Sequence, residues 1–257
     1  MTPRITPVEL AGDPSKPVLV VGPSLGTSVT ALWSATAELL ADRFHVIGWE
    51  LPGHGHGAPT TDAFSMADLA AGVLACVDRV LTDRGERHGT FAYAGDSVGG
   101  AVGLQLLLDA PARVSAAVLT NTGAKIGEPD GWNDRATTVR SAGTASQIAG
   151  STQRWFSPGF LEREPARGGA LLPSLRDADA ESYALVCVAL AAYDVRGRLA
   201  GSPRSLRRSW RSRVSTTPRP RPPRWRRSPS GCATGGSSPS TPSVTSPPPR
   251  HRTPSPA

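Results

Sequence analysis

No stretch of this 257-residue chain stays apolar for the roughly 20 residues that a membrane-spanning helix requires. Met1 to Asp13 holds no apolar run of leader length either, so a soluble, cytoplasmic protein is expected. Cysteine is scarce: Cys76, Cys187 and Cys232 are odd in number and lack metal-ligand spacing, and the first two fall inside helical apolar patterns. They read as core thiols, with no metal, no disulfide and no cofactor implied. Nothing repeats at a fixed period, which leaves one large domain as the working count. The most telling absence begins at Gly201. Residues 201–257 hold 12 arginines but no lysine and no acid, and 13 of the 25 prolines together with 13 serines. Residues 1–200 carry 16 basic and 21 acidic side chains, a net of −5, so the formal charge of +7 averages two unlike halves. A segment with so few apolar residues cannot offset the cost of ordering, and the tail is expected to lack regular structure.

What the chain does have is concentrated around Ser97. Phe91 to Ala94 is an apolar run, Val98 to Leu108 is an apolar helical pattern, and Gly95-Asp96-Ser97-Val98-Gly99 joins them. A strand that turns sharply into a helix strains the residue at the bend, and side chains on the flanks would collide with neighbouring backbone; glycine on both sides removes the collision. The spacing predicts a nucleophile elbow, with the Ser97 hydroxyl raised above a sheet at a helix N-terminus.

The surrounding pattern alternates strands and helices. Val18 to Val21 predicts a buried strand ending at the loop Gly22-Pro23-Ser24-Leu25-Gly26, and a helix follows through Trp33, Leu39 and Leu40. Phe44 to Trp49 predicts the next strand, ahead of the loop Leu51-Pro52-Gly53-His54-Gly55-His56-Gly57. Ser65 and Asp68 form a capping-box signature for a helix from Met66 to about Arg84, with Leu69, Val73, Cys76, Val77 and Val80 on one face. Val114 to Thr120 predicts a strand after the helix that Pro111 ends, and Glu181 to about Asp194 a closing helix. Alternation of this kind implies a doubly wound, mostly parallel sheet covered on both faces. Residues 121 to about 180 lose the strand pattern and gain Trp132 and Trp155, which suits a helical cap over the serine.

Several of these segments together resemble the 3-oxoadipate enol-lactonases, α/β-hydrolases of aromatic-acid catabolism. The resemblance rests on Pro23-Ser24-Leu25-Gly26-Thr27, Leu51-Pro52-Gly53-His54-Gly55, Gly95-Asp96-Ser97-Val98-Gly99-Gly100 and the run Asn121-Thr122-Gly123-Ala124-Lys125-Ile126-Gly127. Trp132-Asn133, Arg135 and Arg154-Trp155-Phe156 extend it. The first three segments are shared across the superfamily, whereas the last are more specific to enol-lactonases. The resemblance implies an α/β-hydrolase fold over residues 1–200 and hydrolysis of a five-membered enol-lactone. In that reading Ser97 attacks the lactone carbonyl and the backbone N–H groups of Leu25 and Val98 form the oxyanion hole. Ser24, Trp132, Arg135 and Trp155 are the implied substrate-binding residues. The free carboxylate of the substrate calls for a cation, for which Lys125, Arg135, Arg140 and Arg154 are the candidates. A small-molecule lactone is then the expected partner, and a carboxymuconolactone decarboxylase, fused or neighbouring, is the protein partner the pathway suggests. Neither a membrane nor nucleic acid is expected as a partner.

The chain departs from the family after residue 200. The family's Gly-x-x-Asp strand end and its late Gly-His with a following Glu-x-Pro are both missing, so the last strands and the final helix of the fold are expected to be missing too. Of the five histidines, only His251 follows Ser97 in the order serine, acid, histidine, and it lies in the Arg/Pro/Ser tail. A shift of reading frame explains this. In the alternative frame each codon keeps two fixed bases of the residue written here, and Arg204 to Pro222 permits E-I-A-A-P-V-L-A-V-A-G-V-H-D-A-P-T-P-P. Ser243 to Pro256 permits V-G-H-L-A-P-A-E-A-P-D-A-V, which puts the implied histidine about 28 codons after the implied aspartate. The chain as written is therefore expected to be inactive. Two alternatives stand beside this reading: another esterase, lactonase or haloperoxidase-like hydrolase on the same fold, and binding of nucleic acid or an anionic surface through the basic tail.

Overall fold

Val18-Leu19-Val20-Val21 alternates its side chains between two apolar layers, and that alternation sets the architecture. The computed structural model describes residues 1–86 and 88–201. Five strands, β1 (Thr6–Ala11), β2 (Val18–Gly22), β3 (His45–Glu50), β4 (Phe91–Asp96) and β5 (Val114–Thr120), form one sheet in the order β1-β3-β2-β4-β5. β2 is parallel to both β3 and β4, and β4 is parallel to β5; only β1 runs antiparallel, against β3. Every residue of β2 and β3 is buried, as expected for central parallel strands covered on both faces.

Leu19, Val21, Val46 and Ala94 face helix α1 (Val29–Leu40), which contributes Val29 and Ala37 to that layer. Val18, Val20, Ile47, Trp49, Phe91 and Tyr93 point the other way, into the larger core with α2 (Met66–Asp83) and α3 (Val98–Asp109). The Ser65/Asp68 capping box forms as the sequence predicts, with Asp68 N–H donating to Ser65 Oγ at 3.1 Å and Ser65 N–H to Asp68 Oδ2 at 2.9 Å. The four parallel strands fall where the apolar pattern puts them, within two residues at each end. β1 is the strand that the sequence reading does not contain: Thr6-Pro7-Val8-Glu9-Leu10-Ala11 has no continuous apolar run, because an edge strand needs to bury only part of its surface.

After β5 come four helices, α4 (Pro129–Ala142), α5 (Ile148–Trp155), α6 (Phe160–Arg163) and α7 (Pro165–Arg176), with a short 3-10 turn at Thr144–Gln147. Helix α8 (Ala180–Ala191) packs against α4, and the short α9 (Arg196–Gly201) follows it. α8 is buried almost throughout, and its N-terminus is capped by Asp179, which accepts from Ser182 N–H at 2.8 Å. None of the described helices is long and apolar enough to cross a membrane. The arginine-rich tail, including His251 and Cys232, lies outside the described residues.

Candidate active site

The chain reverses from β4 into α3 at Ser97, and that residue takes up the strain of the turn. Its backbone has φ 50° and ψ −111°, a region that side-chain-bearing residues rarely adopt. The flanking glycines are required by close approach. A Cβ on Gly95 would lie 2.4 Å from the Gly99 carbonyl oxygen, and one on Gly99 would lie 2.6 Å from the Gly22 carbonyl. The turn is held on both sides: Ser97 N–H donates to Thr120 O of β5 at 2.9 Å, and Gly99 N–H donates to Pro23 O at 2.9 Å. Ser97 is half-buried, and its hydroxyl stands at the N-terminus of α3, where the helix dipole favours negative charge.

The second wall is the loop after β2. Thr27 stitches it to itself, with Thr27 Oγ1 donating to Ser24 O at 2.9 Å and accepting from Ser24 N–H at 3.1 Å. Leu25 is buried and Ser24 nearly so. Beneath the turn, Tyr93 Oη donates to Gly99 O at 2.7 Å and accepts from Trp49 Nε1 at 3.3 Å. Trp33 Nε1 donates to Gly22 O at 2.9 Å from the other side of the sheet. The backbone segments that carry Leu25 and Val98 are thereby fixed relative to each other through Gly99 and Pro23. Such an arrangement places a hydroxyl at a helix N-terminus beside a loop that is held in place.

No described histidine bonds to Ser97. His45 is buried in β3, with its ring nitrogens toward Glu9 at 3.2 Å and Arg84 at 3.2 Å. His54 is fully buried: its Nδ1 donates to Pro52 O at 2.8 Å, its Nε2 has no partner, and burial pushes its pKa down to about 4. His56 and His88 are exposed. Asp96, beside the serine, accepts from Thr120 Oγ1 at 2.9 Å and from Asn121 Nδ2 at 2.6 Å. Among the described residues no three His, Cys, Asp or Glu side chains are grouped to hold a metal ion.

The four candidate cations separate into two kinds. Lys125 is paired with Glu128, and Arg140 forms a two-pronged bond to Glu181 at 2.7 and 2.8 Å. Arg135 and Arg154 have no carboxylate partner among the described residues. Arg135 lies over the Trp132 ring at 4.8 Å, while Arg154 donates to Ser151 Oγ at 3.0 Å. The two guanidiniums are near enough that partial burial and the charge of Arg135 both lower the pKa of Arg154. Trp132 is anchored by its Nε1 donating to Ile126 O at 2.5 Å, and Trp155 is half-buried edge-on to Phe156.

Two residues that the sequence did not single out stand near these groups. Tyr183 of α8 is buried and stacks on His54 with ring centroids 5.8 Å apart; burial raises its pKa to about 12, and the charges of Arg135 and Arg154 oppose that rise. Glu50, at the end of β3, is a buried carboxylate that accepts from Val29 N–H at 2.9 Å; burial raises its pKa to about 7. The only sequence signal for either is a polar residue inside an otherwise apolar element.

The comparisons with known proteins follow the same lines. The family description "alpha/beta hydrolase fold" matches residues 16–221. The chain is 32% identical over 188 residues to 3-oxoadipate enol-lactonase 2 of Acinetobacter baylyi, spanning 73% of this chain and 68% of that one. It is 31% identical over 193 residues to 3-oxoadipate enol-lactonase 1 of the same organism, spanning 75% and 70%. Among solved structures, the enol-lactonase from Burkholderia xenovorans LB400 superimposes with a TM-score of 0.69 at 25% identity, over 83% of this chain and 87% of that one.

Proposed function

The chain belongs to the alpha/beta hydrolase fold family, and from that premise we propose an active site of the 3-oxoadipate enol-lactonase type, with Ser97 as nucleophile. The observation that carries this reading is the strained Ser97 turn, tied through Gly99 to the loop that holds Leu25. Ser97 Oγ would attack the lactone carbonyl carbon, the ring C–O bond would break, and water would release the open-chain keto acid. Charge developing on the carbonyl oxygen would be met by the N–H groups of Leu25 and Val98. Loss of one such donor typically costs on the order of 10²–10³ in rate.

The substrate's free carboxylate would be met by Arg135 and Arg154, the two candidate cations that no described carboxylate neutralises, with Trp132 and Trp155 as apolar walls and Ser24 at the rim. On this reading residues 121–180 form a cap over the serine. The enol-lactonase relatives and the uncompensated guanidinium pair support the assignment.

Catalysis also needs a base to take the Ser97 proton, and the described residues supply none. His54 makes no hydrogen bond to Ser97; its Nδ1 donates to Pro52 O and its ring is buried. We attribute the missing acid and histidine to a shifted reading frame beyond about codon 200, which leaves the chain as written inactive. A single-base insertion or deletion near that codon tests both parts. Enol-lactone hydrolysis should appear in the repaired chain and vanish again with Ser97→Ala. A repaired chain that folds and hydrolyses simple esters but no enol-lactone refutes the substrate; Ser97-dependent turnover by the unrepaired chain refutes the frame shift.

A further inference from the structure

The loop that carries Leu25 is held from two sides. Gly99 and Pro23 tie it to the elbow, and the last turn of α7 covers it from 146 residues further along the chain. Ser28 is the N-cap of α1, so its N–H lies outside that helix's own hydrogen bonds; it donates to Ser174 Oγ at 3.2 Å. The single hydroxyl proton of Ser174 goes to Leu171 O at 2.9 Å within α7, which leaves a lone pair for Ser28. Beside it, the fully buried Leu175 packs on Gly26, where a Cβ would lie 2.5 Å from Leu175 Cδ1. The contact is narrow. A cleft of about 470 Å³ opens next to it, between the start of α1, Gly55 and His56, and the α7 residues Ala170 and Ser174. α7 is also weakened just before the contact, since Pro173 lies inside the helix and has no N–H to give to Gly169 O. A turn joined through so few groups can leave the loop without moving the sheet.

We propose that Ser174 is a positioning residue for the oxyanion hole: the last turn of α7 fastens the loop of Leu25, so that the seating of residues 121–180 sets where the Leu25 N–H stands. The inference rests on the reading of Leu25 as an oxyanion donor and of residues 121–180 as a cap. Ser174 acts through Ser28 and the loop, and is not itself a catalytic group. The bonds between Thr27 Oγ1 and Ser24 close the loop on itself but do not hold it from outside. An oxyanion donor is effective only if it is in place before charge develops, and it loses that advantage when its loop moves. A cap that seats α7 on closing would complete the oxyanion hole at the moment it encloses the substrate.

Amide hydrogen exchange followed by NMR tests the fastening in the full chain as written, without any need for turnover. Thr27 N–H, bonded to Ser24 O, and Ser24 N–H, bonded to Thr27 Oγ1, report the order of the loop. Ser174→Ala should speed exchange at both about fivefold, the usual scale for one hydrogen bond, with the β2 amides and Tm near their wild-type values. Ser174→Thr keeps the hydroxyl and should restore the wild-type rates. Unchanged loop rates in Ser174→Ala overturn the inference, as does a Ser174→Thr chain that exchanges like Ser174→Ala. Faster exchange in β2 as well, together with a lower Tm, makes the serine merely structural and again overturns it. In the frame-repaired chain, Ser174→Ala should lower kcat for the enol-lactone with KM unchanged, the mark of an interaction made in the transition state. A loosened loop without a fall in kcat overturns the positioning role. A repaired chain without enol-lactone turnover refutes the reading of the site instead, and the exchange rates still decide whether Ser174 holds the loop.

Discussion

Gly99 N–H donates to the carbonyl oxygen of Pro23 at 2.9 Å, so the first turn of α3 is fastened directly to the loop that follows β2. The two backbones approach so closely that neither can move without the other. Gly99→Ala would force a Cβ to within 2.6 Å of Gly22 and 2.7 Å of Pro23 O, both backbone groups with nowhere to go. Overpacking of this kind costs about 1–3 kcal/mol or more. A clear fall in Tm is expected by calorimetry, and an unchanged Tm would show that the approach is looser than described.

Tyr93 braces the same turn from below. Tyr93→Phe removes a buried hydroxyl that donates to Gly99 O and accepts from Trp49 Nε1, leaving the indole N–H without that partner. A loss of about 1–3 kcal/mol in denaturant unfolding is expected, the cost of an unsatisfied buried donor. Trp49→Phe in the Tyr93→Phe background should then cost less than it does in the wild type, since the donor left without that partner is removed.

Glu50 should make stability depend on pH in the opposite sense from the paired surface acids. Its folded pKa of about 7 lies above the ordinary carboxylate value of 4.5. The folded state therefore holds this proton more tightly than the unfolded chain. The contribution is full below pH 4.5 and is lost as pH rises through 7, about 3 kcal/mol in all. His54 works against it: its pKa falls from 6.5 to about 4 on folding, so stability is present above 6.5 and is lost as pH falls toward 4. The difference between wild type and Glu50→Gln separates them. Glu50→Gln should gain relative to wild type as pH rises from 5 to 8, followed by thermal unfolding; a constant difference would mean that Glu50 is already ionised in the fold.

Arg140 and Arg135 should behave differently when truncated. The Arg140–Glu181 pair is about 40% exposed on both partners, and such pairs contribute about 0–1 kcal/mol. Arg140→Ala should change stability little and leave carboxylate binding as it was. Equal loss of carboxylate binding in Arg140→Ala and Arg135→Ala would place the ligand elsewhere.

In the chain as written, Ser97→Ala should leave enol-lactone turnover at its residual level. Loss of a triad histidine alone typically costs on the order of 10⁶ in kcat, about as much as losing the whole triad. A substantial drop on Ser97→Ala, measured by the ultraviolet change on lactone opening, would mean that a base is acting that none of the described residues provides.

The elements that were legible in the sequence are those whose signal is local. The apolar runs of β2, β4 and β5 and the Ser65/Asp68 box announce themselves within a few residues, because burial on both faces and capping are satisfied by neighbours in the chain. Gly95-Asp96-Ser97-Val98-Gly99 is legible for the same reason: the steric demand of the turn falls on residues two positions away. β1 was not legible, since pairing at an edge places little demand on composition. The four candidate cations looked alike in the sequence, and only tertiary structure separated them. Glu181 reaches Arg140 from 41 residues away, while Arg135 lies over the Trp132 ring with no carboxylate partner among the described residues. Charge along a chain does not reveal its partner, because an ion pair such as Arg140–Glu181 is fixed by which helices pack together. Composition alone divided the acidic body from the arginine-rich tail, and codon arithmetic alone suggested the second reading frame. The fold decided something different: that Ser97 is strained and held against the loop of Leu25, and that His54 is buried with its Nδ1 turned to Pro52 O, because strain and enclosure exist only once distant strands have been brought together.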